Sequence, residues 1–94
     1  MQQDSAEIFS IKALAWLGSD DDLLGTFLGA SGASTDDLRQ AALARDADFL
    51  GSVLDFILMN DEWVMNCADS LDVPPEHIAQ ARAALPGGQL PNWT

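Results

Sequence analysis

Basic side chains are scarce in this chain, whose 94 residues include 15 Asp and Glu but only 4 Lys and Arg. The formal net charge is −11 at pH 7, and 48% of the residues are apolar, too many for a disordered acidic segment. Nucleic acids and anionic membranes bind positively charged surfaces. We therefore expect no nucleic-acid partner and no membrane partner.

Cysteine is scarce as well, and long apolar runs and targeting signals are lacking. Cys67 is the only cysteine, so an intramolecular disulfide is excluded. No apolar stretch reaches the ~20 residues that a membrane-spanning helix needs. The first residues lack the basic and apolar regions of a signal peptide. These absences predict a soluble, cytoplasmic protein in which Cys67 is a small buried side chain.

The apolar residues recur at steps of three and four, which is typical of amphipathic helices, and no segment alternates as a strand would. We predict an all-α fold of five or six short helices in one compact bundle or array, forming a single domain over 1–94. The fourth helix is the most apolar, so the core is expected to centre on Phe49–Leu58.

Acidic and small polar residues mark the predicted helix ends. The first helix is expected to begin with a capping box of Asp4 and Glu7 and to stop at Gly18. Ser19 is the predicted cap of the second helix, which ends near Gly32. The later helices are expected to begin at Ser34 or Thr35, at Asp46 or Asp48, after Asn60 and Asp61, and at Pro74-Pro75, the last of them running to Leu85. The predicted apolar faces are Ile8, Ile11, Leu14, Ala15 and Leu17 on the first helix and Leu38, Ala41, Ala42 and Leu43 on the third.

Residues forty positions apart are similar in type. Phe9 corresponds to Phe49, for example, and Leu14 to Leu54. This pattern predicts two pseudo-repeats of a three-helix unit, 5–44 and 45–85, followed by an irregular C-terminal tail, 86–94. An inherited duplication explains the pattern, but any two amphipathic helical triplets align tolerably, so both explanations stay open.

Few residues offer chemistry. The run Asp20–Asp22 lacks the alternating carboxylates and glycine turn of a calcium loop, so a helix start is the preferred interpretation. His77 is the single histidine, which leaves too few ligands for zinc. A nucleophilic pair of Cys67 and His77 has no support from their spacing. We accordingly expect no catalytic residue, no metal, no cofactor and no enzymatic activity.

The tripeptide Asp69-Ser70-Leu71 resembles the one in acyl carrier proteins, in which the serine carries phosphopantetheine. In that family the tripeptide opens a long helix. Here Asp72-Val73-Pro74-Pro75 follows at once, and Ser70 lies near the end of a predicted helix. An acyl-carrier-like protein or small enzyme that uses Ser70 or Cys67 is therefore kept as an alternative function.

The C-terminal tail carries Leu90 and Trp93, two large apolar side chains that are costly to leave in water. One interpretation is that they fold back over the helices and close the core. The other is that they bind a partner, because tryptophan is frequent at interface hot spots. Leu90 and Trp93 are therefore the candidate partner-binding residues.

Several stretches of the chain together carry a family resemblance, of which the C-terminal stretch is the most specific and the helical cores are generic. They are Leu23-Leu24, Phe27-Leu28, Asp37-Leu38-Arg39, Phe49-Leu50, and an ALPGG…PxWT-type ending that comprises Ala84-Leu85-Pro86-Gly87-Gly88, Pro91 and Trp93-Thr94. Together they resemble a family of short, uncharacterised bacterial proteins defined as a domain of unknown function. The resemblance implies an all-helical stand-alone domain and no activity, cofactor or catalytic residue.

The expected function is that of a small non-catalytic helical protein that acts through protein–protein interaction. The acidity favours a basic or neutral partner, because oppositely charged surfaces attract one another during encounter. A self-associating structural subunit, whose core is completed by a second copy, is the remaining alternative.

Overall fold

The structure, a computed structural model, describes residues 1–87. Over this range the chain forms six helices and no strand, so the predicted all-α fold is confirmed. No helix of this range could cross a membrane, since each is too short or too polar. The helices are α1 Gln3–Gly18, α2 Asp21–Ser31, α3 Thr35–Ala44, α4 Ala47–Leu58, α5 Asp61–Ser70 and α6 Glu76–Ala83.

The predicted starts of α3, α4 and α5 are confirmed. In each case the residue before the helix has an extended backbone, and its side chain accepts hydrogen bonds from backbone N–H groups of the first turn. Before α3 the cap is a reciprocal box, because Ser34 accepts from the Asp37 N–H and the Asp37 carboxylate accepts from the Ser34 N–H. The other two caps are Asp46 and Asn60.

The predicted start of α2 is wrong by one residue. Asp20, rather than Ser19, is the N-cap, and its carboxylate accepts a hydrogen bond from the Leu23 N–H at 3.1 Å. The Ser19 hydroxyl instead donates back to the carbonyl of Trp16 at 2.6 Å. Because Ser19 closes the end of α1 in this way, its oxygen is not the acceptor for the first turn of α2.

The predicted capping box of Asp4 and Glu7 is also wrong. Helix α1 begins at Gln3, with Gln2 as an N-cap that makes no side-chain hydrogen bond, so Asp4 already lies within the first turn. Its carboxylate accepts a hydrogen bond from the guanidinium of Arg45 at 2.8 Å. A long-range ion pair therefore takes the place of the local cap.

The end of α6 differs slightly from the prediction as well. The helix stops at Ala83, two residues before Leu85. Leu85 nevertheless turns into the core and is 2% exposed. Leu85 is therefore held against the bundle although it follows the helix.

Helix α4 is the centre of the core, as predicted. It packs against α1, α3, α5 and α6. Apolar side chains on much of its circumference are completely buried, which suits a helix surrounded by others. These fully buried residues are Leu50, Val53, Leu54 and Ile57.

The predicted apolar faces of α1 and α3 need correction. Ile8 is 40% exposed and Ala15 is exposed, whereas Phe9 and Ala13 are buried. Helix α1 is apolar around most of its circumference, so the positions of α4 and α6 decide which stripe is buried. On α3, Leu43 is 80% exposed. Two helical steps turn it by about 200° from the buried Ala41, onto the outer face.

Burial repeats along the chain at the predicted interval of forty residues. Helices α2 and α5 start forty positions apart, and so do the ends of α1 and α4. Seven pairs of residues at this interval are buried in both halves: Ser10 and Leu50, Ala13 and Val53, Leu14 and Leu54, Leu17 and Ile57, Phe27 and Cys67, Leu38 and Ile78, and Ala41 and Ala81. An origin by duplication stays a prediction.

Candidate functional site

The Cys67 thiol is buried in the core. Its side chain is 0% exposed within the core between α5 and its neighbours. Burial raises the pKa of Cys67 to about 11, because the apolar surroundings disfavour the thiolate. His77 packs edge-on against the ring of Phe9, with 4.6 Å between ring centroids. No hydrogen bond joins Cys67 to His77, so the structure does not assemble them as a nucleophilic pair.

Ser70 lies on the surface as the last residue of α5. The prediction that it sits near a helix end is confirmed. Leu71 caps the helix and Asp72 has a positive φ of 56°, so the chain turns sharply just after the serine. The long helix that follows the serine in acyl carrier proteins is therefore absent at this position.

The run Asp20–Asp22 has a structural role, and the candidate partner-binding residues lie outside the described range. Asp20 is a helix cap and Asp21 and Asp22 occupy the first turn of α2, as a helix start requires. Within residues 1–87 no group of three or more His, Cys, Asp or Glu side chains could hold a metal ion. Leu90 and Trp93 lie outside the described residues, so their role stays a prediction.

A cleft lies where the end of α2, the length of α3 and the start of α4 meet. Its volume is about 490 Å³. Two carboxylates, Asp37 and Asp46, flank it, and its apolar part is formed by the half-buried Phe49 with the buried Ala41. We call this the acidic cleft. Its lining is Ser31, Gly32, Ala33, Asp37, Gln40, Ala41, Ala44, Asp46 and Phe49.

Local capping holds both carboxylates of the acidic cleft in place. Each carboxylate uses one oxygen for a backbone N–H, at 2.9 Å from Asp37 to Ser34 and at 3.2 Å from Asp46 to Phe49. A carboxylate has further acceptor positions on its two oxygens. The lining includes no Lys or Arg. The cleft can therefore accept hydrogen bonds from a cationic group brought from outside the chain.

Most of the chain's own cations are already paired. Arg82 binds Asp55 at 2.6 Å, Arg45 binds Asp4 at 2.8 Å, and Arg39 lies 3.6 Å from Asp36. Glu7 lies 4.0 Å from Arg45, so four of the 15 carboxylates have a cation nearby. All 15 fall within residues 1–87, and the remaining 11 have no Lys or Arg within 4.0 Å.

A protein-family profile described as "Protein of unknown function (DUF3572)" matches residues 3–88. The chain belongs to the DUF3572 family. This confirms the resemblance to a family defined as a domain of unknown function. The match ends before Pro91 and Trp93-Thr94, so that part of the resemblance stays a prediction. No curated protein and no solved structure matches the chain.

The acidic cleft of this DUF3572 member was not predicted from the sequence. Asp46 is a predicted helix start, and Asp37 lies three residues after the predicted cap Ser34. Nothing in their spacing of nine positions predicts that they flank one cleft, because that depends on how α3 turns into α4. Arg45 makes this turn at the end of α3, with a positive φ of 51°.

Proposed function

We propose that this chain acts by binding another protein, basic or neutral in character, and has no catalytic activity of its own. A basic side chain of the partner enters the acidic cleft and lies between Asp37 and Asp46. The observation that carries this proposal is the cleft itself, with two carboxylates, an apolar floor and no cation in its lining.

The shape and chemistry of the cleft suit a lysine or arginine side chain. The apolar stem of such a side chain can pack on Phe49 and Ala41 while its charged end reaches the carboxylates. Charge-assisted hydrogen bonds of this kind are stronger than neutral ones. The eleven carboxylates without a nearby cation add a long-range field that speeds the approach of a positive surface.

Two observations favour this proposal over a function in catalysis or self-association. A thiol with a pKa of about 11 is almost entirely protonated at neutral pH, which makes Cys67 a weak nucleophile. A second copy of the chain carries the same charge of −11, so two copies repel one another at low salt. The partner-binding role of Leu90 and Trp93 stays a separate prediction.

Removal of the two cleft charges tests the proposal with little change to the fold. The variant Asp37→Asn/Asp46→Asn keeps an acceptor oxygen at both positions. At position 46, an N-cap, asparagine caps about as well as aspartate, and at position 37 the amide oxygen can still accept from the Ser34 N–H. The matched control is Asp61→Asn/Glu62→Gln, which removes two charges from the first turn of α5, outside the cleft. Each tagged protein is used to capture partners from native lysate at low and moderate salt.

We expect the wild type and the control to retain a stoichiometric partner and the cleft variant to lose it. Retention should weaken as salt rises, because screening shortens the range of the carboxylate field. Equal retention by the cleft variant, or no stoichiometric partner for the wild type at either salt concentration, would overturn the proposal. Intact mass of the protein from its own cells tests the alternative, because a phosphopantetheine-sized increment on Ser70 would favour a carrier.

A further inference from the structure

A second groove lies between α2 and α4, close to where the described chain ends. Its volume is about 360 Å³. Phe27 and Phe56 form its floor, with their rings edge to face and 5.1 Å between centroids. Met59 forms one wall and is 79% exposed. We call this the α2–α4 groove. Its lining is Phe27, Ala30, Ser31, Ser52, Asp55, Phe56 and Met59.

Arg82 holds the end of the described chain at the rim of this groove. Its guanidinium donates to both carboxylate oxygens of Asp55, at 2.6 and 3.1 Å, and to the carbonyl of Pro86 at 3.1 Å. Asp55 itself lines the groove. Gly87 lies next to the same guanidinium, since a Cβ at this position would stand 3.6 Å from Nη2 of Arg82. The segment after Gly87 therefore starts at the groove.

Residues 88–94 have the length and the composition to fill the groove. Seven residues span at most about 24 Å when extended, whereas α4 advances only about 6 Å from Asp55 to Met59. The segment has no charged side chain and includes Leu90 and Trp93. Large apolar side chains next to an apolar groove gain by being buried there. Its side chains, being uncharged, also escape repulsion by the surrounding carboxylates.

We infer that the C-terminal segment 88–94 of the same chain occupies the α2–α4 groove, with Leu90 and Trp93 against Phe56 and Met59. The segment then completes the core instead of anchoring a partner. The acidic cleft, on the earlier part of α4, is left free for the partner. This inference does not depend on the proposed function, because it concerns the isolated chain.

Fluorescence of Trp93 tests the inference. The chain has three tryptophans, so Trp16→Phe/Trp63→Phe leaves Trp93 as the only one, and a phenylalanine at 63 keeps a ring against Phe56. In this background we expect a blue-shifted emission maximum and weak quenching by acrylamide. Met59→Glu in the groove should shift the emission to longer wavelength and remove the protection.

Two further variants separate loss of docking from loss of folding. Ala30→Glu changes the opposite wall of the groove, on α2, at an exposed position, and should have the same effect as Met59→Glu. Met65→Glu is the matched control, because this methionine is 57% exposed on α5 and does not line the groove. Far-UV circular dichroism checks that each variant keeps its helices.

Four results would overturn the inference. The first is an emission maximum and quenching of Trp93 that equal those of the urea-unfolded chain. The second is protection that survives both groove variants. Protection that increases with protein concentration would assign the groove to a second copy, and protection that develops only when a partner is added would assign it to that partner.

Discussion

Loss of the Arg82 guanidinium is expected to destabilise the fold, because this group joins three parts of the molecule. It donates two hydrogen bonds to Asp55 of α4 and one to the Pro86 carbonyl, and it lies over Gly51 of α4. A Cβ at Gly51 would stand 2.7 Å from Nη1, so the guanidinium lies directly on the α4 backbone. The Arg82 side chain is only 16% exposed, whereas that of Asp55 is 57% exposed.

The magnitude follows from this partial burial. A hydrogen bond to a charged group contributes about 1.5–3 kcal/mol when it is shielded from water, and an exposed ion pair contributes about 0–1 kcal/mol. Since Asp55 remains half in solvent, we expect a coupling of about 1 kcal/mol between Arg82 and Asp55. The exposed pair of Arg39 and Asp36, with side chains 74% and 73% exposed at 3.6 Å, should couple by less than about 0.5 kcal/mol.

A double-mutant cycle measures both couplings. The free energy of unfolding in urea is determined for Arg82→Gln, Asp55→Asn and their combination, and the same is done for Arg39→Gln and Asp36→Asn. The surface pair serves as the matched control, since each cycle removes one positive and one negative charge. Coupling free energies of equal size in the two cycles would show that burial does not strengthen the ion pair of Arg82 with Asp55.

Three further predictions concern the core, the helix caps and the thiol. Leu54→Ala should lower the free energy of unfolding by about 2–5 kcal/mol, and Leu43→Ala by less than about 0.5 kcal/mol; similar losses in urea unfolding would contradict the burial of α4. Asp20→Ala should cost about 1 kcal/mol in the same assay, and a larger loss for Ser19→Ala would restore Ser19 as the cap. A thiol reagent at pH 8 should label Cys67 only in the unfolded protein, because its pKa is about 11 in the fold. Rapid labelling of the folded protein at this pH would contradict the prediction. Since the folded pKa exceeds the ordinary value of 9.0, the stabilisation from the buried neutral thiol is complete below pH 9 and is lost as the pH rises towards 11.

Local chemistry made the helices predictable. The side chains of Ser34, Asp46 and Asn60 accept hydrogen bonds from backbone N–H groups two or three positions further along the chain. The sequence nearby therefore contains all the information that their capping role needs. The apolar density of α4 likewise predicted its central place. The exposure of Ile8 was not predictable in this way, because it depends on which side of α1 the other helices cover.

The candidate site was less predictable than the fold. The helix starts at Ser34 and Asp46 are predictable from the sequence, but the acidic cleft needs the angle at which α3 turns into α4. The partnership of Arg82 with Asp55 spans 27 positions and gives no local signal. Long-range packing decides both features, and a single sequence carries little information about it.

Binding of a basic or neutral protein in the acidic cleft is tested by capture with matched charge variants. Retention of a stoichiometric partner is compared between Asp37→Asn/Asp46→Asn and the control Asp61→Asn/Glu62→Gln, with both variants at the same net charge. We predict that the control retains the partner and the cleft variant loses it. Equal retention by the two variants would contradict the claim.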